Sequence, residues 1–221
     1  MRIYNAYGVY WFHLCAGYKG DLIKDYFRNY RQEEHDIEID LANGGVSLLD
    51  HSEEVLPWNV RIQDTGEDML AGSRIQRAMK YVSGDEFLAT YGDGVVEVNM
   101  KALIESHRKS VKLATITAVR PLSTFGELGI EGDTATSFME KPQTAAGWIN
   151  GGFLVLNRAI FEALPPDQNI TLEQGVLEDL ASRGELNVYR HHGFWQCMDT
   201  YREMQLLEDY WRSGNAPWKI W

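Results

Sequence analysis

Short apolar or β-branched runs alternate along this chain with segments whose apolar residues recur at helical spacing. Such alternation is the pattern of an α/β sheet with helices on both faces, because strands buried on both sides read as near-continuous apolar stretches. The pattern predicts strands over Val9–Ala16 ("VYWFHLCA"), Phe87–Thr90, Leu113–Val119, from Gly151 ("GGFLVLN") and over Leu186–Tyr189. Another strand is expected in "PWNVRIQDTG", and a strand with one wet face over Ile37–Leu41. Helices are expected over Asp21–Arg31, with Leu22, Tyr26 and Tyr30 on one face, and over Gly72–Tyr81, Asn99–Lys109, Leu172–Ser182 and Thr200–Arg212, with a shorter one near Ala159–Ala163. Asn43–Glu54 reads as a loop or hairpin insertion, and Glu127–Ile130 pairs with Thr136–Met139 as a hairpin. No internal repeat or Pro-rich linker interrupts the series, so residues 1–221 are expected to form one domain.

The net charge of -11 argues against nucleic acid or an anionic membrane as partner, since either surface repels most of such a protein. No apolar run approaches the roughly 20 residues that span a bilayer, and no signal-peptide pattern opens the chain, so a cytoplasmic location is expected. Cys15 and Cys197 lie among apolar neighbours without zinc-ligand spacing and read as buried free thiols.

Four short stretches can carry chemistry. In "TYGDGV", Asp93 stands between two glycines at the exit of a strand, where ligands gather in open α/β sheets. Its carboxylate suits a hard cation such as Mg²⁺, and an Asp-Gly turn without a ligand is the plain alternative. In "SFMEKPQ", Glu140 and Lys141 end a strand; the lysine can neutralise a phosphate and the glutamate can accept from sugar hydroxyls, or the two form a solvated pair. Asn150-Gly151-Gly152 can present an amide and bare backbone to a sugar, or make a type I′ turn. Asp199, in "GFWQCMDTYRE", is either the N-cap of the following helix or a second metal ligand.

The strings "PWNVRIQDTGEDMLAGSRIQR", "TYGDGV", "FGELGI", "EKP", "INGGFLVLN", "GFWQCMDT" and "APWKIW" together resemble the glucose-1-phosphate cytidylyltransferases, a branch of the sugar-nucleotide pyrophosphorylase superfamily. The likeness extends from Arg2 to Trp221. It implies a Rossmann-like, mixed, mostly parallel sheet, an oligomer, and transfer of a cytidylyl group from CTP to a sugar 1-phosphate, α-D-glucose 1-phosphate, with Mg²⁺, a step toward surface polysaccharides. The resemblance gives Asp93 and Asp199 to the metal and Lys141 to the sugar phosphate. It places Gly126, Glu140 and Asn150 at the glucosyl unit, with Tyr91 and Gly151 also in the substrate site. Thr65, Gly66, Gly72 and Arg74 match the segment that lines the nucleotide pocket.

The family's first strand, its Gly-Gly-x-Gly-Thr-Arg loop and a downstream lysine have no counterpart in this sequence. The resemblance places that strand beside Val9–Ala16, so its absence implies two apolar edges facing a gap. Thr124, Leu172 and Gly175-Val176 stand where the family has arginine, tryptophan and Glu-Pro, on what the resemblance makes the sugar side. Two other functions fit the same residues: a non-catalytic relative that binds nucleotide or sugar phosphate, and a glycosyltransferase using a nucleotide-sugar donor. The second usually carries an Asp-x-Asp pair, whereas Asp93 is followed by Gly94, Val95 and Val96 before Glu97.

Overall fold

The chain was analysed as a computed structural model that describes residues 1–49, 56–121, 127–131, 134–139, 147–166 and 168–221. Its elements, in chain order, are α1 (Arg2–Asn5), β1 (Trp11–Ala16), α2 (Gly20–Glu33), β2 (Ile37–Asp40), β3 (Gly45–Leu48), β4 (Asn59–Asp64), α3 (Ala71–Ala78), β5 (Glu86–Thr90), β6 (Gly94–Val96), α4 (Met100–Ser110), β7 (Ala114–Val119), β8 (Glu127–Glu131), β9 (Thr134–Met139), β10 (Ile149–Asn157), α5 (Arg158–Glu162), a π-helical turn (Leu172–Leu177), α6 (Glu178–Ser182), β11 (Leu186–Arg190), β12 (Trp195–Cys197) and α7 (Tyr201–Arg212).

The core is a four-stranded sheet in the order β11-β7-β10-β5. β11 runs parallel to β7, and β10 is antiparallel to both of its neighbours, so the α/β class and the mixed sheet expected from the sequence are borne out. Successive side chains of a strand point to opposite faces. Phe153 and Val155 accordingly join one apolar cluster with Ile3 and Tyr4 of α1, Met100 and Leu103 of α4, Leu207 of α7 and Trp218. Leu154 and Leu156 enter another, formed with Met79, Phe161, Val176, Leu177 and Leu180. Both faces of the sheet are thus covered, which is why "GGFLVLN" carries no polar residue between Gly151 and Asn157. Burying each large apolar side chain contributes about 1.5–3 kcal/mol.

β1 lies outside that sheet. It pairs in parallel with β4 alone, and β5 pairs with β10 alone, among the described residues. Phe12 of β1 and Leu88 of β5 nevertheless pack against the same cluster, so the two pieces share a core without sharing a hydrogen-bond ladder. Most of β1 and β5 is only half-buried, whereas β7 and the middle of β10 are nearly closed off from water. Among the described residues, β1 and β5 each leave one edge without a ladder.

One expectation is corrected: β2 (Ile37–Asp40) pairs with β3, but both of its faces are exposed, Ile39 at 52%, and Leu41 just beyond it is 92% exposed. The helix expected over Asp21–Arg31 is present as α2, with Leu22 57% exposed. The hairpin expected at residues 127–139 is present as β8–β9.

Candidate active site

Asp93 and Asp199 are distant in sequence, and a short ladder that periodicity did not reveal joins them. β6 pairs antiparallel with β12, with Gly94 opposite Cys197 and Val96 opposite Trp195. Asp93 immediately precedes β6 and Asp199 follows β12 by two residues, so both leave the same end of the ladder. They line one cavity of about 220 Å³ together with Tyr91, Gly94, Asn150, Gly151, Phe153, Trp195 and Cys197. At three residues each, β6 and β12 are too short to show an alternation.

Asp199 is not the N-cap. Thr200 takes that role in a complete capping box: its hydroxyl accepts from the backbone N–H of Glu203, and the Glu203 carboxylate accepts from the N–H of Thr200 at 2.8 Å and of Asp199 at 2.9 Å. Ligand atoms of Cys197, Asp199 and Glu203 lie within 4.8 Å of one another, yet this trio is a poor metal site. Glu203 is committed to the cap, and burial, helped by the Asp199 carboxylate, pushes the Cys197 thiol up to about 11, so it stays protonated at neutral pH. Asp199 lines the same cavity as Asp93.

The glycines beside Asp93 support a ligand reading of that stretch. Neither Gly92 nor Gly94 has a positive φ, a Cβ on Gly92 would meet nothing within 4 Å, and one on Gly94 would make only an ordinary 3.7 Å contact with Phe153. The fold does not demand glycine at either position.

Asn150-Gly151-Gly152 is not a hairpin turn but lies inside β10, where the register with β7 shifts between Asn150 and Leu154. Bulges of this kind re-aim side chains beside active sites. Gly152 has φ +78°, and a Cβ there would come 2.6 Å from Cδ2 of Tyr91. Gly151 offers its carbonyl to the indole N–H of Trp195 at 2.8 Å, and Val119 leaves no room for a Cβ. The Asn150 side chain accepts from the Gly152 N–H at 2.8 Å and donates to the Tyr91 hydroxyl at 3.3 Å. Tyr91 in turn donates to the carboxylate of Glu173 on the π-helical turn. Burial first, and then that bond, hold the phenol above its ordinary range. Glu173 and Trp195 are the site residues that sequence reasoning missed; only a resemblance-level motif around "TLEQ" could have signalled the first.

The four residues matched to the nucleotide segment come together elsewhere. Thr65 is buried, donating its hydroxyl to the Ala16 carbonyl at 2.8 Å and accepting from Arg74 Nη1 at 3.1 Å. Arg74 also donates to the carbonyls of Met69 and Glu67, so its charge shapes the loop that enters α3. Gly17 lies against it, since a Cβ there would fall 2.2 Å from Nη1. Gly66 has φ +96°. Gly72 faces the carbonyls of Ile170 and Thr171, each within 3 Å of where a Cβ would sit. This loop does not line the cavity of Asp93 and Asp199, but residues 170–173 touch both it and Tyr91 and so tie the two together. Leu172 is 2% exposed in the core rather than on a sugar-facing surface. Gly126, Glu140 and Lys141 lie outside the described residues.

The cavity fits a divalent cation by its donors: two carboxylates, one just before β6 and one just after β12, offer hard oxygens, and a hard ion such as Mg²⁺ takes one or two of them with substrate oxygens completing its shell. Ligand pockets commonly measure about 300–1,000 Å³, so about 220 Å³ is too small for two large substrates at once.

A mixed α/β sheet with an acidic cavity beside a glycine-relieved bulge in β10 defines an α/β protein with a ligand-sized cavity at the Asp93 strand exit. The comparisons sharpen that class. A family model described as nucleotidyl transferase matches residues 45–212. The glucose-1-phosphate cytidylyltransferase of Salmonella typhi is 43% identical over 222 residues, which is 100% of this chain and 85% of the relative. A probable glucose-1-phosphate cytidylyltransferase of Bacillus subtilis (strain 168) is 40% identical, with 100% and 85% covered. The crystal structure of HddC from Yersinia pseudotuberculosis shares the fold, with a TM-score of 0.63 over 96% of this chain and 83% of that one, at 20% identity. The chain belongs to the nucleotidyl transferase family.

Proposed function

We propose that this chain transfers a cytidylyl group from CTP to α-D-glucose 1-phosphate, giving CDP-glucose and pyrophosphate, with Mg²⁺ held by Asp93 and Asp199. The observation that carries the reading is the meeting of these two carboxylates with Asn150 in one cavity. The names of the relatives that match the entire chain supply the substrates.

A phosphate oxygen of the sugar phosphate attacks the α-phosphorus of CTP, and the bond to the β-phosphate breaks as pyrophosphate leaves. The nucleophile is already ionised, so the chain need supply no strong base; alignment and charge neutralisation suffice. The bound cation lowers the repulsion between the two polyanions. Asn150, fixed by Gly152 and Tyr91, positions the sugar hydroxyls. Glu140 and Gly126 join it at the glucosyl unit, and Lys141 pairs with the sugar phosphate. Thr65, Gly66, Gly72 and Arg74 shape the nucleotide side, and residues 1–221 act as one domain in a cytoplasmic homo-oligomer.

Pyrophosphate release from CTP and glucose 1-phosphate, with and without EDTA and with GTP or UTP in place of CTP, tests this. Metal-dependent release favouring CTP is expected. A folded sample that binds CTP without releasing pyrophosphate would instead support a binding protein without turnover.

A further inference from the structure

A second concave region lies apart from the site. It is a groove of about 1,120 Å³ along β4 and the end of α3, lined by Arg61, Gln63, Arg77, Lys80 and Tyr81 among others. None of its lining residues lines the cavity of Asp93 and Asp199. Small-molecule pockets commonly measure about 300–1,000 Å³, so a ligand of nucleotide size fits it.

The groove is cationic on a chain of net charge -11. Arg61 and Gln63 stand two apart on β4 and so share a face. Arg77 belongs to the last turn of α3, and Lys80 to the 3₁₀ turn Met79–Tyr81 that continues it. Among the described residues none of these three cations forms an ion pair. Their partners are neutral: Arg61 donates to the Tyr81 carbonyl at 3.0 Å, Arg77 donates to the Thr65 carbonyl at 2.9 Å, and Lys80 Nζ lies 4.8 Å from the centre of the Tyr81 ring. Asp64, the single carboxylate of the lining, accepts from the Gly66 N–H at 3.0 Å and is engaged in its own turn. A cleft lined by one sign of charge concentrates the opposite ion, here an anion.

Gln63 adds a second requirement. It is 8% exposed, its amide bonds to His13 Nδ1 at 2.9 Å, and its Oε1 is buried without a partner among the described residues. Turning the amide over, with the other His13 tautomer, only exchanges which of its two polar atoms is left. Folded proteins seldom leave such an atom, so one that lines a groove points to a ligand. A hydroxyl satisfies either atom, since it both donates and accepts.

We propose that this groove binds a phosphorylated sugar, either free or as the ribose phosphate of a nucleotide. The phosphate pairs with Arg77 and Lys80, and a sugar hydroxyl meets the Gln63 amide. The groove is also linked to the nucleotide segment, because Arg77 holds the Thr65 carbonyl while the Thr65 hydroxyl accepts from Arg74. A phosphate that draws Arg77 away loosens this loop, so a ligand in the groove weakens the binding of CTP. The link rests on the function proposed above; the site itself does not.

Isothermal titration calorimetry on the full chain in EDTA, with ribose 5-phosphate, CMP and inorganic phosphate as probes, tests the site without turnover. One saturable site per chain is expected, kept in Asp93→Asn and weakened about tenfold or more in Lys80→Glu and Gln63→Leu. Tighter binding of ribose 5-phosphate assigns the groove to a free sugar phosphate, and tighter binding of CMP assigns it to a nucleotide. Inorganic phosphate binding as tightly as both leaves Gln63 without a role and overturns the sugar. Affinity unmoved by Lys80→Glu overturns the site. Gln63→Leu removes a buried unpaired atom and should keep the wild-type Tm; a lower Tm with unchanged affinity makes the amide structural and also overturns the proposal. With Mg²⁺ present, saturating the groove should raise the Kd for CTP about tenfold, within the usual range of coupling between sites. An unmoved Kd overturns the link, whereas a chain that binds the probe but no CTP contradicts the proposed function and the link together and supports the groove.

Discussion

At the scale of single residues, the site depends on side chains that other side chains hold in place. Removing one preorganised electrostatic group typically costs about 10²–10³ in turnover. Asp93→Asn and Asp199→Asn should each lose that much in steady-state pyrophosphate release while keeping the wild-type circular dichroism spectrum. Glu173→Gln exchanges a charged acceptor for a neutral one at the Tyr91 hydroxyl, and bonds to charged groups contribute about 1.5–3 kcal/mol. Its expected signature is a rise of about tenfold in KM for the sugar phosphate, with less effect on CTP. Gly152→Ala forces φ +78° on a residue with a Cβ and drives that Cβ into Tyr91, so thermal unfolding should show a loss of about 1–3 kcal/mol. That Asp93 lines a cavity was legible in the sequence because glycine on both sides of a carboxylate at a strand exit is an uncommon cost. Glu173 was not, because its role comes from a contact with Tyr91 that spacing does not encode.

Elements explain why Asp199 is available. The sequence offers Asp199 as the cap, and the fold gives the cap to Thr200 through Glu203, whose carboxylate reaches back to both backbone amides. Thr200→Ala should cost about 1 kcal/mol in chemical denaturation and also lower turnover, because the cap fixes the backbone of Asp199. Cys197 reports on the same corner. Its thiol is raised from 9.0 to about 11, so the folded state holds its proton over a range in which the unfolded chain releases it. Stability from this group is complete below about pH 9 and is lost as pH rises through about 11. Iodoacetamide should accordingly alkylate Cys197 more slowly at pH 8.5 than a free thiol in the denatured chain. The long strands and helices were legible because their periodicity runs over enough residues; β6 and β12, three residues each, exist through pairing with one another.

For the whole molecule, the sheet is divided. β1 with β4, and β5 with β10, leave one edge each without a ladder among the described residues, although Phe12 and Leu88 share a core. Open edges exchange their amide hydrogens readily, whereas closed ladders open only with larger unfolding. Hydrogen exchange should therefore be fast along β1 and β5 and slow along β7 and the middle of β10. The sequence pattern makes the α/β class legible but cannot show which strands pair, since pairing depends on contacts between distant segments. Across both pieces, the functional claim is that Asp93 and Asp199 hold one divalent ion between them. Counting bound Mn²⁺ by electron paramagnetic resonance in the presence of CDP-glucose tests this directly: one ion per chain is expected in the wild type and none in Asp93→Asn or Asp199→Asn, whereas full retention of the ion by either variant would contradict it.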